Sequence, residues 1–302
     1  MRLTIELKIY DLTWKAFSKI SYRFKPRDLN ERVTSYPYLC SDTYLANSQY
    51  SILDEKDLNQ FLKSYDPKVE YKSVYIVGEM VQILLSAKSL MPKVRTLIIM
   101  ESDTTQYESE LSSLYPFVGK IHSNNLIGSS SRCSPLPLGL ERQAYRSAGR
   151  LNNFKYQSLI KNKKRSIQFL IAWNDKTNPN RKFYRAQFKG DSRCFIVENR
   201  LHARTIHKLV RKTRFIPCPA GNGLDTHRVW EAIYLGAVPV ILEAEFCGDS
   251  TWPVIIVKNW SELLDQGKEE LNLLYAKHSL NEQQSIDFGK KVLSNIFGDT
   301  DE

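Results

Sequence analysis

The chain has 302 residues, 42% of them hydrophobic, and a formal net charge of +10. That length accommodates two modest domains with real cores and leaves no need for long disorder. Its apolar runs, near Val74–Val77, Leu97–Met100 and Ala237–Leu242, are far too short to span a bilayer, so a cytoplasmic protein, soluble or peripheral on a membrane, is expected.

At the start, Leu3, Ile5, Leu7 and Ile9 alternate with Arg2, Thr4, Glu6 and Lys8, a period that predicts an opening strand and not a signal peptide. Short apolar segments follow at Val74–Val77, Leu97–Met100, Val118–His122 and Leu136–Leu138. Their rhythm predicts a parallel sheet with helices outside. Polar residues close three of the segments: Gly78-Glu79, Glu101-Ser102-Asp103, and His122-Ser123-Asn124-Asn125. Ligands of open parallel sheets lie beyond the carboxyl ends of the strands, so these tips are expected to face a crevice. Glu101, Asp103 and His122, with Glu79 behind them, are the candidates for a catalytic base. Each can equally serve as a loop residue that holds backbone amides.

The stretch from Asn152 to Arg165 is polar, basic and aperiodic, which places a boundary there and gives domains 1–160 and 161–302. A second series of strands is expected at Ile167–Ala172, Cys194–Val197, Arg214–Ile216, Val238–Leu242 and Val254–Val257. Basic residues crowd two places: Arg142, Arg146 and Arg150 lead into Lys155 and Lys161–Arg165, and Arg200, Arg204, Lys208, Arg211, Lys212 and Arg214 precede a glycine-rich turn. Such a field suits an anionic partner: a nucleoside diphosphate, an anionic membrane surface or a lipid-diphosphate acceptor. No nucleic-acid-binding motif is present and aromatic residues do not interleave with the basic runs, so nucleic acid is not expected.

Phe215–Ile241 reads as strand, turn, helix and strand. Pro217 and Pro219 stiffen the strand exit, Gly221-Asn222-Gly223 lets backbone approach a ligand, and Asp225 or Thr226 can cap the helix. Trp230, Ile233 and Tyr234 supply its apolar face and Gly236 ends it. A helix start behind a glycine turn favours phosphate. The polar set Asn222, Asp225, Thr226, His227, Arg228 and Glu231 is dense for a helix needed in a core. In a site Arg228 would pair with a diphosphate and Glu231 would accept from ribose hydroxyls; otherwise the two form a surface ion pair. Asn178 and Arg181, after the first strand of the second series, are further candidates for ligand contact. Cys40, Cys133, Cys194, Cys218 and Cys247 are scattered and read as reduced thiols, with no metal-ligand spacing. The acidic Asp299-Thr300-Asp301 is read as a frayed tail and not a metal motif. Near Asn281–Ile296 a packing helix is expected with Ile286, Phe288, Val292 and Ile296 on one face.

The run PAGNGLDTHRVWEAIYLGAVPVI resembles the nucleotide-sugar half of exostosin-like glycosyltransferases and their bacterial relatives, with its P-x-G-x-G-x-D-x-x-R-x-W-E-A-x-x-x-G-x-x-P-V pattern. FLIAWNDKTNPNR, from Phe169 to Arg181, is similar to the first strand and loop of that domain, and WPVIIVKNWSEL, from Trp252 to Leu263, to its late strand and following helix. The resemblance covers roughly the second half of the chain. It implies an α/β, GT-B-like arrangement of two Rossmann-like domains facing a central cleft, with the last helix crossing back onto the first domain. It also implies sugar transfer from a nucleoside diphosphate to a hydroxyl of a glycan or lipid-linked acceptor, in surface polysaccharide or glycoconjugate synthesis, with inversion favoured; the absence of an internal DxD motif and the cationic groups able to offset the diphosphate lead to an expectation of catalysis without metal or other cofactor. The nucleotide-sugar set implied is Asn178, Arg181, Gly221, Asn222, Gly223, Asp225, Thr226, Arg228 and Glu231. Relatives often carry Arg where this chain has Ala220, so phosphate contact would fall on Arg228, Arg181 or backbone amides. A nucleotide-binding scaffold without catalysis, or an epimerase on the same fold, would carry the same phosphate unit.

Overall fold

A computed structural model describes residues 5–21, 33–64, 66, 68–145, 149–155 and 165–298. Strands β1 (Tyr50–Ile52), β2 (Glu70–Val77), β3 (Lys93–Met100), β5 (Val118–Ser123) and β7 (Cys133–Pro135) form one sheet in the order β1-β2-β3-β5-β7. Strands β8 (Ile167–Ile171), β9 (Cys194–Ile196), β10 (Thr213–Pro217), β11 (Val238–Leu242) and β12 (Ile255–Val257) form another in the order β12-β11-β10-β8-β9. Every pairing in both sheets is parallel. A short pair, β4 (Gln106–Tyr107) with β6 (Leu126–Ile127), sits beside the first sheet's strand tips.

Parallel sheets need apolar residues on both faces, which is why these strands read as continuous apolar runs. Side chains alternate across each strand and divide the core into layers. Val74, Ile76, Leu97 and Ile99 pack outward with Leu58, Phe61 and Leu84. Phe169, Phe215 and Val240 do the same with Trp260, Leu263 and Leu271 on the second sheet. Between the sheets a single cluster joins Tyr75, Ile98 and Met100 to Leu170, Ile216 and Ile241 through Leu39, Phe154, Trp230 and Tyr234. The two halves therefore share a central core, and their strand ends keep a fixed relation. All five cysteines are buried and free. Among the described residues no helix is long and apolar enough to cross a membrane.

Three expectations are corrected. The opening segment is a helix, Ile5–Ser21, and not a strand. Ile5 and Ile9 are 78% and 58% exposed, whereas Leu7 and Asp11, four residues apart, are buried. A lone strand here would leave its peptide groups unpaired, while a helix closes its own hydrogen bonds and offers one face for docking. That face meets the helix Ala203–Val210: Asp11 Oδ1 accepts from the amide of His202 at 2.7 Å, Trp14 lies 3.8 Å under the Arg204 guanidinium, and Tyr10 lies 4.2 Å from the Lys208 ammonium. Second, Leu136–Leu138 is not a strand. The amide of Leu136 still bonds to Ser123, but that of Leu138 is taken by Asp225 from the other half, which pulls the chain off the sheet. Third, the last helix, Glu282–Phe297, buries Ser285, Gly289, Leu293 and Ile296, so its inward face is rotated from the expected one. A Cβ on Gly289 would lie 3.0 Å from the Pro37 carbonyl oxygen and 3.1 Å from Tyr234 Oη. Asn281 and Gln284 start that helix with a reciprocal capping box, both bonds 2.9 Å.

Much of the basic field is structural. Arg165 donates to the carbonyls of Val210, Thr213 and Leu235, and Arg211 donates to Asn153. Arg204 and Lys208 cover aromatic rings of the first helix. Arg146, Lys161–Lys164 and the acidic tail at Asp299–Asp301 lie outside the described residues.

Candidate functional site

The glycine turn is built from beneath. Arg181, on the helix Asn180–Gln187, is buried and donates Nε to Ala220 O at 2.8 Å, Nη2 to Pro219 O at 2.8 Å and Nη1 to Thr177 Oγ1 at 2.6 Å. Burial moves its pKa down, and no carboxylate is hydrogen-bonded to it among the described residues. Asn178 Nδ2 donates to Gly221 O at 3.3 Å, and the amide of Gly221 donates to Gly223 O at 2.9 Å. Arg181 and Asn178 thus hold the turn's carbonyls, which leaves the turn's other side toward the sheet tips.

Residues of the first half clasp that side. A Cβ on Gly223 would lie 2.5 Å from Asn125 Nδ2, a close approach that only glycine permits without displacement. Asn125 Oδ1 accepts from the amide of Asp225 at 2.8 Å, and Asn222 Nδ2 donates to Asp103 Oδ2 at 3.0 Å. Thr226 holds the cap position of the helix His227–Tyr234 without a side-chain cap bond, and its Oγ1 is buried with no partner. Asp225 does not cap in the usual way. It accepts from Trp230 Nε1 at 2.9 Å and from the amide of Leu138 at 2.8 Å, and burial pushes its pKa up to about 6.

Arg228 and Glu231 lie behind the turn, off the cavity surface. Their ion pair is 2.5 Å long, and Glu231 also meets His207 Nε2 at 3.1 Å on the neighbouring helix. Glu231 is buried, so this is not the exposed pair considered from the sequence. Burial alone would raise its pKa, but Arg228 and His207 outweigh that and bring it down to about 2. A carboxylate with a depressed folded-state pKa adds stability above its unfolded value, and that stability disappears as pH falls through the folded value. Glu231→Gln is accordingly expected to cost about 1.5 to 3 kcal/mol at neutral pH, the range for a charge-assisted bond. The difference from wild type should vanish as pH drops from about 4 toward about 2, which denaturant melts across that window would measure. An unchanged neutral-pH stability would show that the buried pair contributes nothing net.

Where the carboxyl ends of both sheets meet, a cavity of about 500 Å3 opens. Its walls include Glu79, Glu101, Ser102, Asp103, Asn125, Leu138, Glu141 and Arg142 from the first half, and Thr177, Arg181, Gly221–Gly223, Asp225, Thr226 and His227 from the second. Glu101 follows β3 directly with φ 58, a left-handed conformation that costs a non-glycine residue about 1 to 3 kcal/mol and recurs at functional sites. Its carboxylate lies 3.1 Å from Arg142 Nη1, while Arg142 Nε donates to the buried Asp42 at 2.8 Å. Burial raises the pKa of Glu101 against the pull of Arg142. His122 stands off the cavity: Nδ1 meets Ser134 Oγ at 2.8 Å, Nε2 is buried without a partner, and burial brings its pKa down to about 4.

Sequence reasoning placed Asn125 at a strand tip facing the crevice, where it lies, but missed Glu141 and Asp42 and counted Arg142 in a basic field for an anionic partner. One signal was available: Glu141-Arg142 follows the apolar Leu136-Pro137-Leu138-Gly139-Leu140, where charge at the end of an apolar run marks a strand-tip loop. Among the described residues no three His, Cys, Asp or Glu side chains are grouped as metal ligands. No protein-family model matches the chain, and no curated protein sequence matches it.

Proposed function

We propose that the chain is a nucleotide-sugar-dependent glycosyltransferase of GT-B-like design, as its resemblance to the exostosin-like family implies. The observation that carries this reading is the cavity where both parallel sheets end, with a glycine turn and helix start on one wall and carboxylates on the opposite wall. The nucleoside diphosphate would lie over Gly221-Asn222-Gly223, where the first-turn amides of His227 and Arg228 have no acceptor within the helix. The acceptor hydroxyl would enter from the first half, toward Glu101. That carboxylate suits the base better than the other two candidates. Asp103 is engaged by Asn222 and His122 does not line the cavity, whereas Glu101 lines it, is oriented by Arg142 and has a raised pKa. The leaving diphosphate would be stabilised by fixed dipoles of the turn and helix more than by Arg228, whose charge is offset by Glu231.

Incubation with UDP-, GDP- and ADP-linked hexoses should release a nucleoside diphosphate slowly, and faster with a suitable glycan or lipid-linked acceptor. Glu101→Gln should keep nucleotide-sugar affinity and lower turnover at least about a hundredfold, the lower end of general-base contributions. Full turnover in that variant removes Glu101 from the chemistry. Binding with no release, in any combination, would favour a non-catalytic nucleotide-binding protein.

A further inference from the structure

The cavity presents an electrostatic obstacle to any diphosphate. Among the described residues its lining holds the carboxyl groups of Glu79, Glu101, Asp103, Glu141 and Asp225, while the two guanidinium groups there are committed: Arg142 to Asp42 and Glu101, Arg181 to the carbonyls under the turn. Two like unit charges 4 Å apart repel by about 4 kcal/mol at an effective dielectric of 20, and a helix start offers only about half a positive charge in return. Further positive charge has to arrive with the ligand.

His227 is built to supply it. It opens the helix His227–Tyr234, lines the cavity and has a side chain 35% exposed. Its Nδ1 is 2.8 Å from the carbonyl oxygen of Gly139, and because a carbonyl only accepts, Nδ1 carries the hydrogen of the neutral ring. The other nitrogen, Nε2, then bears a lone pair, and it lies 3.6 Å from a carboxylate oxygen of Glu141. A lone pair facing a carboxylate is a poor contact that becomes favourable once Nε2 is protonated. Other charged groups lie around the ring. Asp225 precedes the ring by two positions, Glu231 sits one turn along the helix with Arg228 offset against it, and Glu101 and Arg142 share the cavity wall with Glu141.

We infer that His227 is a proton-coupled phosphate ligand. When a diphosphate enters, Nε2 takes one proton from solvent and donates it as a hydrogen bond to a phosphate oxygen, while the Nδ1 hydrogen bond to the Gly139 carbonyl holds the ring in place. This rests on the nucleotide-sugar reading and adds to it the side chain, and the protonation state, that receives the phosphate.

The test uses the full chain and UDP-, GDP- and ADP-linked hexoses, whose diphosphate is a diester that keeps its charge across neutral pH. Calorimetric affinities measured from about pH 6 to about pH 8, spanning the ordinary histidine range, should weaken by up to about tenfold per pH unit in wild type. Buffers of different ionisation heat should report uptake of about one proton per ligand bound. His227→Gln, which keeps a donor near Nε2 but cannot titrate, should lose most of this slope and keep only the part that Asp225, with a pKa of about 6, contributes at the acidic end, and so should His227→Asn, which keeps only the Gly139 contact. Both should bind at least about tenfold more weakly than wild type at the acidic end and approach it at the alkaline end. The same pH slope in a folded His227→Gln or His227→Asn protein as in wild type overturns the inference. So does binding that appears only with added magnesium and is insensitive to His227, because a cation would then supply the charge. If no nucleotide hexose binds at any pH, the nucleotide-sugar reading falls first and this inference with it.

Discussion

Arg142→Met is expected to destabilise the chain by about 3 to 5 kcal/mol, the cost of leaving a buried charge without its partner. The side chains of Arg142 and Asp42 are 5% and 2% exposed, and their Nε to Oδ1 contact is 2.8 Å. Asp42 also accepts from the amide of Gln143 at 2.7 Å, but an amide does not neutralise a carboxylate buried this deeply. Glu101, 3.1 Å from the same guanidinium, would lose its counter-charge in the same step. The deficit has a definite pH dependence. With the arginine gone, the pull that holds Glu101 down is lost, so its folded-state pKa, already raised by burial, rises further above the unfolded value. Stability of the variant should therefore fall as pH rises from about 4 toward neutrality, and its deficit should shrink on acidification. Urea melts of wild type, Arg142→Met and the double variant Asp42→Asn with Arg142→Met would separate the effects. The double variant should regain a large part of the loss, because it carries one fewer buried charge. A single variant within about 1 kcal/mol of wild type would mean that water reaches this cluster and screens it.

Gly139→Ala is expected to cost about 2 to 6 kcal/mol, combining a left-handed backbone with overpacking. Gly139 has φ +75, and a Cβ there would lie 2.2 Å from Leu39 O and 2.7 Å from the amide nitrogen of Cys40, both backbone atoms. The two strands of chain are held together at this point by the bond from the amide of Leu140 to Leu39 O, 2.7 Å, so neither can yield without losing it. Gly190→Ala is the matched control. Its φ is +92 but nothing lies within 4 Å of an added Cβ, so it should cost only the conformational part, about 1 to 2 kcal/mol. Because Gly139 O also orients His227, the proposed nucleotide-sugar site predicts a loss of affinity in the Gly139 variant at temperatures where it remains folded, and none in the Gly190 variant. Equal melting temperatures for the two variants would show that the close approach to Leu39 relaxes freely.

The sequence by itself determined what depends on neighbours within a few residues. Val74–Val77, Leu97–Met100, Phe215-Ile216 and Val238–Leu242 are apolar on both alternating faces, which in water demands a strand covered on both sides. The glycine turn and the helix after it were equally readable, although the space beside Gly223, which the sequence assigned to a ligand, is taken by Asn125. The same local logic misled at Ile5 and Ile9, where an alternation matched a strand period but no neighbouring strand exists to pair with it among the described residues. Tertiary structure alone decided the electrostatics. Arg142 meets Asp42 and Glu101 across separations of 100 and 41 residues, Asp225 reaches Leu138 across 87, and His227 reaches Gly139 across 88. Hydrophobic periodicity reports which face of an element is buried. It carries no information about which charge will lie opposite, because that follows from how the two sheets are set against each other around their common core. For this reason Arg142 reads as one of a basic cluster in the sequence and is a buried keystone in the fold, and Arg228, the expected phosphate ligand, is turned away to Glu231 while His227 faces the cavity.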